Sequence, residues 1–492
     1  MRKQIGALAG IITVLTSCGG GGSDSGGNIA TVPPSAPTPA PPPPPTSTAG
    51  CSVTERQNWV AGEMDTYYLF PDLLPANRSP AGYSTVQDYI DYLTATARAQ
   101  GKDRYFTYIT SIAEENAYYQ SGSNAGIGVR LGLTSDNRLF VTEAFESAPA
   151  YAVGIDRGTE IVAIGTSESN LRNVADIYAA EGGSGLNNAL GSDEAGVSRY
   201  FRIRKVDGSE AVVKVTKASY NLDAVSPRYG SKIIEDGGRK VGYVNLRTFI
   251  DNAEAPLRNA FANFRSQGVT EVVIDLRYNG GGLISIADAF GNLLGGGRSA
   301  SDVFRYTTFR PSLASNNEQT NFKQQSQAIS PMKIAFIGRG GTASASELLM
   351  NAFIPYLGAN AALIGTNTYG KPVGQIARDR PQCDDRLRVV ALRTENANRQ
   401  GDYYNGLANV MKTTCVAADD ISFQMGDPRE ASTKQALDFL AGRGSCTPIS
   451  TSSTARAGTT TLGRSQEVAL GQMELLRPQV PSTPQRETPG LY

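Results

Sequence analysis

Apolar and polar positions follow two different periods along this chain, and the changes of period divide it. Between residue 51 and about 120 the spacing is helical. Trp59, Val60, Met64 and Tyr67 share one face of a helix over Val53–Tyr68, with Thr54 as candidate cap; Val86, Ile90 and Leu93 share a face of a second helix beginning near Ser84. From 121 to about 218 the period drops to two, in Ala125–Leu133, Leu139–Phe145, Tyr200–Lys205 and Ala211–Thr216, which predicts strands. From Lys240 onward, strand-length apolar runs alternate with amphipathic helices. Strands are expected over 241–246, 269–276 and 333–338. Helices are expected over Ala255–Gln267, where Leu257, Phe261 and Phe264 align, over Leu283–Leu294, and over Glu430–Gly442. Alternation of this kind predicts a largely parallel sheet covered by helices, with ligand sites at the carboxyl ends of its strands. The polar stretch 379–420 reads as an excursion from that core. The fold class expected is α+β and multidomain: a helical region (51–120), a small β domain (121–218) and an α/β core (230–446).

The two ends lack this periodicity. Arg2 and Lys3 precede an apolar run from Ile5 to Leu15, too short to span a bilayer as a mature helix, and the run ends in Leu15-Thr16-Ser17-Cys18. Residues 1–18 resemble a lipoprotein signal peptide, in which Cys18 is lipidated. With Gly19 after the cysteine, the resemblance implies an outer-membrane lipoprotein of the cell envelope, facing the periplasm or the exterior and touching the membrane through its lipid. Residues 19–50 are Gly/Ser-rich and then Pro-rich, a tether. Residues 449–492, rich in Ser, Thr, Pro and Arg, read as a disordered tail.

Composition narrows the chemistry. The 46 basic residues balance 46 acidic ones, which gives no electrostatic ground for a nucleic-acid partner. Without histidine and with five cysteines, no protein-built metal site is expected, and no cofactor is called for. Beyond Cys18, the cysteines Cys51, Cys383, Cys415 and Cys446 are an even set, expected as two disulfides in an exported chain. Of three connectivities, Cys383–Cys415 as a local clamp and Cys51–Cys446 as a tie between the ends are favoured here.

The missing histidine bears hardest on Gly340–Gln375. There a Gly-rich turn presents Ser344 and Ser346 ahead of a helix, and Lys371 follows a strand and a second glycine turn. A serine hydroxyl needs a base, and without imidazole the usual substitute is a lysine amine. The amine must be neutral, so its pKa must fall from about 10.4 by burial away from acids. Acyl transfer also needs two N–H donors for the oxyanion, which a triple-glycine turn at 280–282 and the amide after the nucleophile can supply.

Three motifs in order, Asp275-Leu-Arg-x-Asn-x-Gly-Gly, Thr342-Ala-Ser-Ala-Ser-Glu and Thr368-x-Gly-Lys-x-x-x-Gln, resemble those of the C-terminal processing (tail-specific) serine peptidases. Gly154, Gly158 and Ile161, set before a strand ending at Ile164, resemble the pattern of a PDZ domain. The resemblance implies a helical N-terminal region, a PDZ-like barrel and an α/β core of the ClpP/crotonase kind. It implies Ser344 as nucleophile, Lys371 as base, Gln375 as orienter of the amine, and the amides of Gly281 and Ala345 as oxyanion donors. The interval from Ser344 to Lys371 is two residues longer than the family's, whereas Ser346 matches it; the local motif selects Ser344, with the insertion absorbed between Pro355 and Ala362. Glu347 reads as a helix first-turn acid, and Arg277 and Asn279 as residues that shape their loop. A PDZ module takes peptide C-termini by strand addition, which makes Gly126, Ile127 and Gly128 the candidate substrate-binding loop. The partners implied are protein tails, with an adaptor lipoprotein or a second copy as further candidates. Two other functions remain open at this point: an inactive, peptide-binding lipoprotein, and an amidase or esterase of small or cell-wall substrates.

Overall fold

In the computed structural model, residues 49–450, 473–478 and 481–492 are described. Cys18, the signal segment and most of the tether lie outside them.

The chain begins with α1 (Val53–Tyr67), α2 (Val86–Leu93) and α3 (Ala95–Ala99), then β1 (Tyr108–Ser111) and α4 (Ile112–Ser121). The cap of α1 is Ser52, whose hydroxyl accepts from Glu55 N–H in a reciprocal capping box, and not Thr54. Residues 123–221 supply β2 (Ser123–Gly126), β3 (Val129–Leu133), β4 (Leu139–Ala144), α5 (Pro149–Ala152), β5 (Glu160–Gly165), β6 (Arg172–Asn173), α6 (Val174–Leu190), β7 (Ser198–Arg204), β8 (Glu210–Thr216) and β9 (Ala218–Asn221). β3, β4, β5, β7 and β8 form an antiparallel meander, and β2 pairs with β9. Inward Val129, Leu131, Val141, Ile161, Phe201 and Ile203 pack against Ile177 and Leu186 of α6, which the sequence reading had not placed.

The core follows with β10 (Ser231–Asp236), β11 (Arg239–Asn245), α7 (Glu254–Ser266), β12 (Glu271–Asp275), α8 (Ile284–Leu294), β13 (Val303–Phe309), β14 (Glu318–Asn321), β15 (Lys333–Gly338), α9 (Ala345–Leu357), β16 (Ala361–Gly365), β17 (Val373–Arg380), β18 (Asp385–Glu395), β19 (Thr413–Val416) and α10 (Ala431–Ala441). Its sheet runs β10-β11-β12-β15-β16-β19, parallel except for the β10–β11 hairpin. Strand alternation explains why helices cover both faces. Val272, Ile274, Ile334, Phe336 and Leu363 meet α7, α8 and α9 on one side; Val273, Ala335, Ile337 and Ile364 meet Ala436, Leu437 and Leu440 of α10 on the other. Residues 379–395 are no excursion: β17 and β18 form a long hairpin whose second strand also pairs with β1 and β13. The polar residues that concealed it are half-buried on one face, where Arg386 and Arg388 pair with the buried Glu115.

Both disulfide expectations are corrected. Cys51 is bonded to Cys383, with Cα atoms 5.5 Å apart, because α1 lies against the β17–β18 hairpin. Cys415 is bonded to Cys446 at 4.6 Å, because α10 returns the chain to β19 at the sheet edge. The tail expectation is corrected in part. β20 (Glu474–Leu475) pairs with β3, and α11 (Thr483–Glu487) leads into a buried run ending at Leu491 and Tyr492; residues 451–472 lie outside the described part.

Candidate active site

Two strand ends of the core sheet build the site. After β12 the chain turns through Leu276–Gly282, and a buried ionic cluster fixes this turn. Arg277 is paired with Asp275, Asp419 and Glu430, all inaccessible or nearly so. Burial by itself would push the Glu430 carboxyl up, but the Arg277 guanidinium beside it brings it down to about 2. Asn279 holds the rest of the turn: Nδ2 donates to Leu246 O at 2.8 Å, and Oδ1 accepts from Gly281 N–H at 2.9 Å.

After β15 the chain turns through Arg339–Ala343 into α9. Thr342 Oγ1 donates to Leu276 O at 2.8 Å and Ala343 N–H to Asn279 O at 3.0 Å, so the two turns are tied to each other. Ser344 stands at the start of α9 with φ 55° and ψ −116°. A β-carbon-bearing residue in that region is strained, by about 1–3 kcal/mol, and is held there only by its surroundings. Ser346 is buried and donates its hydroxyl to Asn279 O at 3.1 Å. The two serines are thereby separated: one strained at the turn, the other a bolt in the first helical turn. Gly281, at φ 123°, abuts Ser344. A β-carbon there would lie 2.7 Å from Ser344 Cβ and 3.2 Å from Ala345 N, so glycine alone permits this approach.

Lys371 follows β16 and a turn that Glu347 organises. The Glu347 carboxylate accepts from Ser344 N–H at 3.1 Å and Lys371 N–H at 2.7 Å on Oε2, and from Gly370 N–H at 2.7 Å and Thr368 Oγ1 at 2.6 Å on Oε1. One buried carboxylate thus joins the serine turn to the lysine turn. The expectation of a first-turn acid gives its position in α9 and misses this bridge, which no sequence spacing displays. Lys371 Nζ donates to Gln375 Oε1 at 3.1 Å, its only side-chain hydrogen bond among the described residues, and lies 5.1 Å from the Phe106 ring centroid. Gln375 is held in turn by donation to Phe106 O. Burial lowers the lysine pKa from its ordinary value; Glu487 opposes the shift and Arg486 adds to it.

Ser344, Gly281 and Ala345 converge; Lys371 pairs with Gln375, and its turn is joined to that of Ser344 through Glu347. The Gly281 N–H, expected to face an oxyanion, is held by Asn279, and the neighbouring Gly280 N–H donates to Glu487 O at 2.9 Å. Gly126 ends β2, and Ile127 and Gly128 lead from it into β3, where Gly128 N–H donates to Tyr492 O at 2.7 Å.

Residues 240–401, which contain both turns and Gly281, Ser344, Ala345, Lys371 and Gln375, match the sequence profile of peptidase family S41. Over this stretch the chain is similar to the peptidases of family S41. Among relatives, the chain is 26% identical over 322 residues to the carboxyl-terminal-processing protease of a Picosynechococcus strain, which covers 65% of this chain and 71% of that one. It is 27% identical over 268 residues to the chloroplastic carboxyl-terminal-processing peptidase 3 of Arabidopsis thaliana, covering 52% of this chain and 48% of that one. The chain thus spans about half the length of the plant relative. In three dimensions a candidate S41 protease of Bacteroides fragilis NCTC 9343 aligns with TM-score 0.60 and 21% identity over 78% of this chain and 97% of that one, a likeness of fold.

Proposed function

We propose that this protein is a serine endopeptidase of family S41 with a Ser344–Lys371 dyad, which engages protein tails on a PDZ-like module formed by residues 121–218 and cleaves them through an acyl-enzyme. The observation that carries the reading is that one buried carboxylate, Glu347, accepts from the backbone N–H of both a strained, glycine-abutted Ser344 and Lys371, whose amine burial holds below its usual pKa.

The chemistry follows from the positions. Neutral Lys371 takes the Ser344 proton as Oγ attacks the scissile carbonyl carbon. Negative charge builds on the carbonyl oxygen, beside the Ala345 and Gly281 amides, which requires Gly281 N–H to leave Asn279. The Lys371 ammonium then protonates the departing amine, and the peptide bond breaks to leave an ester on Ser344. A water, deprotonated by the same lysine, hydrolyses the ester. Gln375 keeps the amine aimed throughout. Cys18 would anchor the enzyme to an envelope membrane through its lipid, with the Gly/Ser/Pro tether as spacer. Among the described residues no helix is long and apolar enough to cross a membrane.

A second reading, a peptide-binding lipoprotein without turnover, draws on the Gly281 amide being taken by Asn279 and on Lys371 bonding Gln375 and no serine. One experiment separates them. Hydrolysis of an unfolded protein is measured for the native chain and for Ser344→Ala, Ser346→Ala and Lys371→Ala. The dyad predicts a loss of at least about a thousandfold for Ser344→Ala and Lys371→Ala, with measurable turnover in Ser346→Ala. Full turnover in Ser344→Ala, or no turnover either in the native chain or in a chain cut after Val480, refutes the peptidase.

A further inference from the structure

The segment 482–492 makes contacts that the reading above does not use. Its end adds a strand to β3: Tyr492 N–H donates to Val129 O at 3.0 Å, Val129 N–H to Tyr492 O at 3.2 Å and Leu131 N–H to Gly490 O at 2.8 Å. Farther along the same strand, Leu476 N–H donates to Leu131 O at 2.9 Å, so this edge of the small sheet is covered from end to end. The Tyr492 ring is buried with Ile127, Val129, Ile177, Leu186 and Leu190, and its hydroxyl donates to Asn187 Oδ1 at 2.6 Å. Gly126 makes room for this, because a β-carbon there would lie 2.8 Å from the Tyr492 carbonyl carbon.

Upstream of this strand the same segment lies on the catalytic turn. Glu487 O accepts from Gly280 N–H, and a β-carbon on Gly280 would come within 2.5 Å of Arg486 O. Thr488 Oγ1 bonds the Tyr118 hydroxyl at 3.0 Å, and Tyr119 donates to Glu487 Oε1 at 3.3 Å, while the other Glu487 oxygen is buried without a partner. Arg130, fully buried on β3, joins the two ends: its Nη1 donates to Pro489 O at 2.9 Å and to Tyr278 O, in the catalytic turn, at 2.8 Å.

We propose that the β3 groove and the Ser344 cleft form one continuous site for a peptide carrying a Gly-Leu-Tyr-type apolar–aromatic end, and that residues 482–492 are its resident occupant, capping the enzyme until a tail of the same chemistry displaces them. The proposal rests on the peptidase reading for what the cap blocks. The segment is a cap and not a substrate because Thr483–Glu487 is helical, whereas a strand-added peptide running into an active site is extended. Glu487 is also the foremost opposite charge acting on Lys371, and a carboxylate there favours the ammonium, the inactive form of the base. Asn187 then sets specificity: a buried phenol that loses its acceptor is disfavoured against one that keeps it.

The test compares the full chain with a chain cut after Val480, using a fluorophosphonate that phosphonylates Ser344 Oγ with loss of fluoride and a fluorescent synthetic peptide of residues 481–492. Removing the tethered cap, whose local concentration is in the millimolar range, is expected to speed labelling by about tenfold or more, and adding the peptide in trans to slow it again. On a Ser344→Ala background the peptide should bind the cut chain and not the full chain, and Asn187→Ala should weaken that binding by about fivefold. Equal labelling of both chains, or equal peptide affinity for both, overturns the proposal. If neither chain labels while the affinity difference persists, the groove and its occupant stand and the peptidase reading falls. Should the cut chain fail to fold, hydrogen exchange decides on full-length protein: Tyr492→Ala should expose the Val129 and Leu131 amides, and unchanged protection overturns the cap.

Discussion

Replacing Glu347 by glutamine changes one oxygen to an amide and leaves shape intact. The carboxylate accepts from four donors, two on each oxygen. A glutamine can satisfy two of them with Oε1. If Oε1 keeps Ser344 and Lys371 N–H, the amide faces Thr368 and Gly370. The Thr368 hydroxyl, which already accepts from Leu407 N–H at 2.8 Å, can turn and accept again, but the Gly370 N–H is left against an amide donor. The opposite orientation orphans both Ser344 and Lys371 N–H and is worse. One orphaned buried donor costs about 1–3 kcal/mol, which corresponds to roughly 5- to 150-fold if it is expressed in the alignment of Lys371 with Ser344. Glu347→Gln should therefore lower kcat for acylation by about that factor, with KM for a tail peptide unchanged, since the β3 groove lies on another element. Stopped-flow acylation and urea unfolding measure the two quantities separately. A variant that loses about 1–3 kcal/mol of stability and still acylates within about twofold of the native rate would show that Glu347 only holds the fold, and the positioning role would be wrong.

The acid limb of the pH–rate profile should follow Lys371, whose pKa burial lowers and Glu487 raises, with Arg486, Asp103 and Arg388 also facing it. Activity should rise with pH through that lowered value, and Glu487→Gln should move the limb to lower pH; an unmoved limb counts against the pairing. Linkage gives the matching stability effect. Between the lowered folded pKa and the ordinary lysine value of about 10.4 the unfolded chain binds the extra proton, so stability rises with pH, and Lys371→Met should raise Tm at neutral pH and lose that advantage above about pH 10. Arg277→Ala strips the partner from Asp275 and Glu430 and should cost about 3–5 kcal/mol in denaturant unfolding; a loss under about 1 kcal/mol would mean that the cluster does not fix the catalytic turn. Opening the Cys415–Cys446 link, which closes a separation of 31 residues, should cost about 4 kcal/mol on the loop-entropy estimate, and non-reduced peptide mapping that finds Cys383 joined to Cys415 would reject the connectivity.

The parts visible in sequence were those written locally. Helix α7 and strands β12 and β15 announced themselves by apolar period, and the three catalytic motifs by short spacing. The different settings of Ser344, strained at the turn, and Ser346, bonded to Asn279 O, are also local, because φ at a strand-to-helix turn depends on the turn and not on the distance to the lysine. What stayed hidden needed partners remote in the chain. Arg386 and Arg388 of the β17–β18 hairpin have their partner in Glu115, far upstream. Cys51 meets Cys383 only once α1 is packed on that hairpin. The Gly281 amide was expected to be open, and Asn279, two residues away, holds it. The terminal segment has a disordered composition, yet its few apolar residues, Leu491 and Tyr492, find a groove that already exists.

The disulfide pattern has a consequence for how the chain acquires its bonds. Read from the N-terminus, each cysteine of the described region is joined to the next, Cys51 to Cys383 and Cys415 to Cys446. An oxidase that acts on thiols in order of appearance would make the native pairs at the first attempt. A nested set would need later reshuffling by thiolate attack on existing disulfides, which without catalysis takes minutes to hours. The one thiol able to spoil this order is Cys18, which precedes Cys51. Its lipidation would remove it before oxidation begins, so that an anchor would also serve as a protecting group.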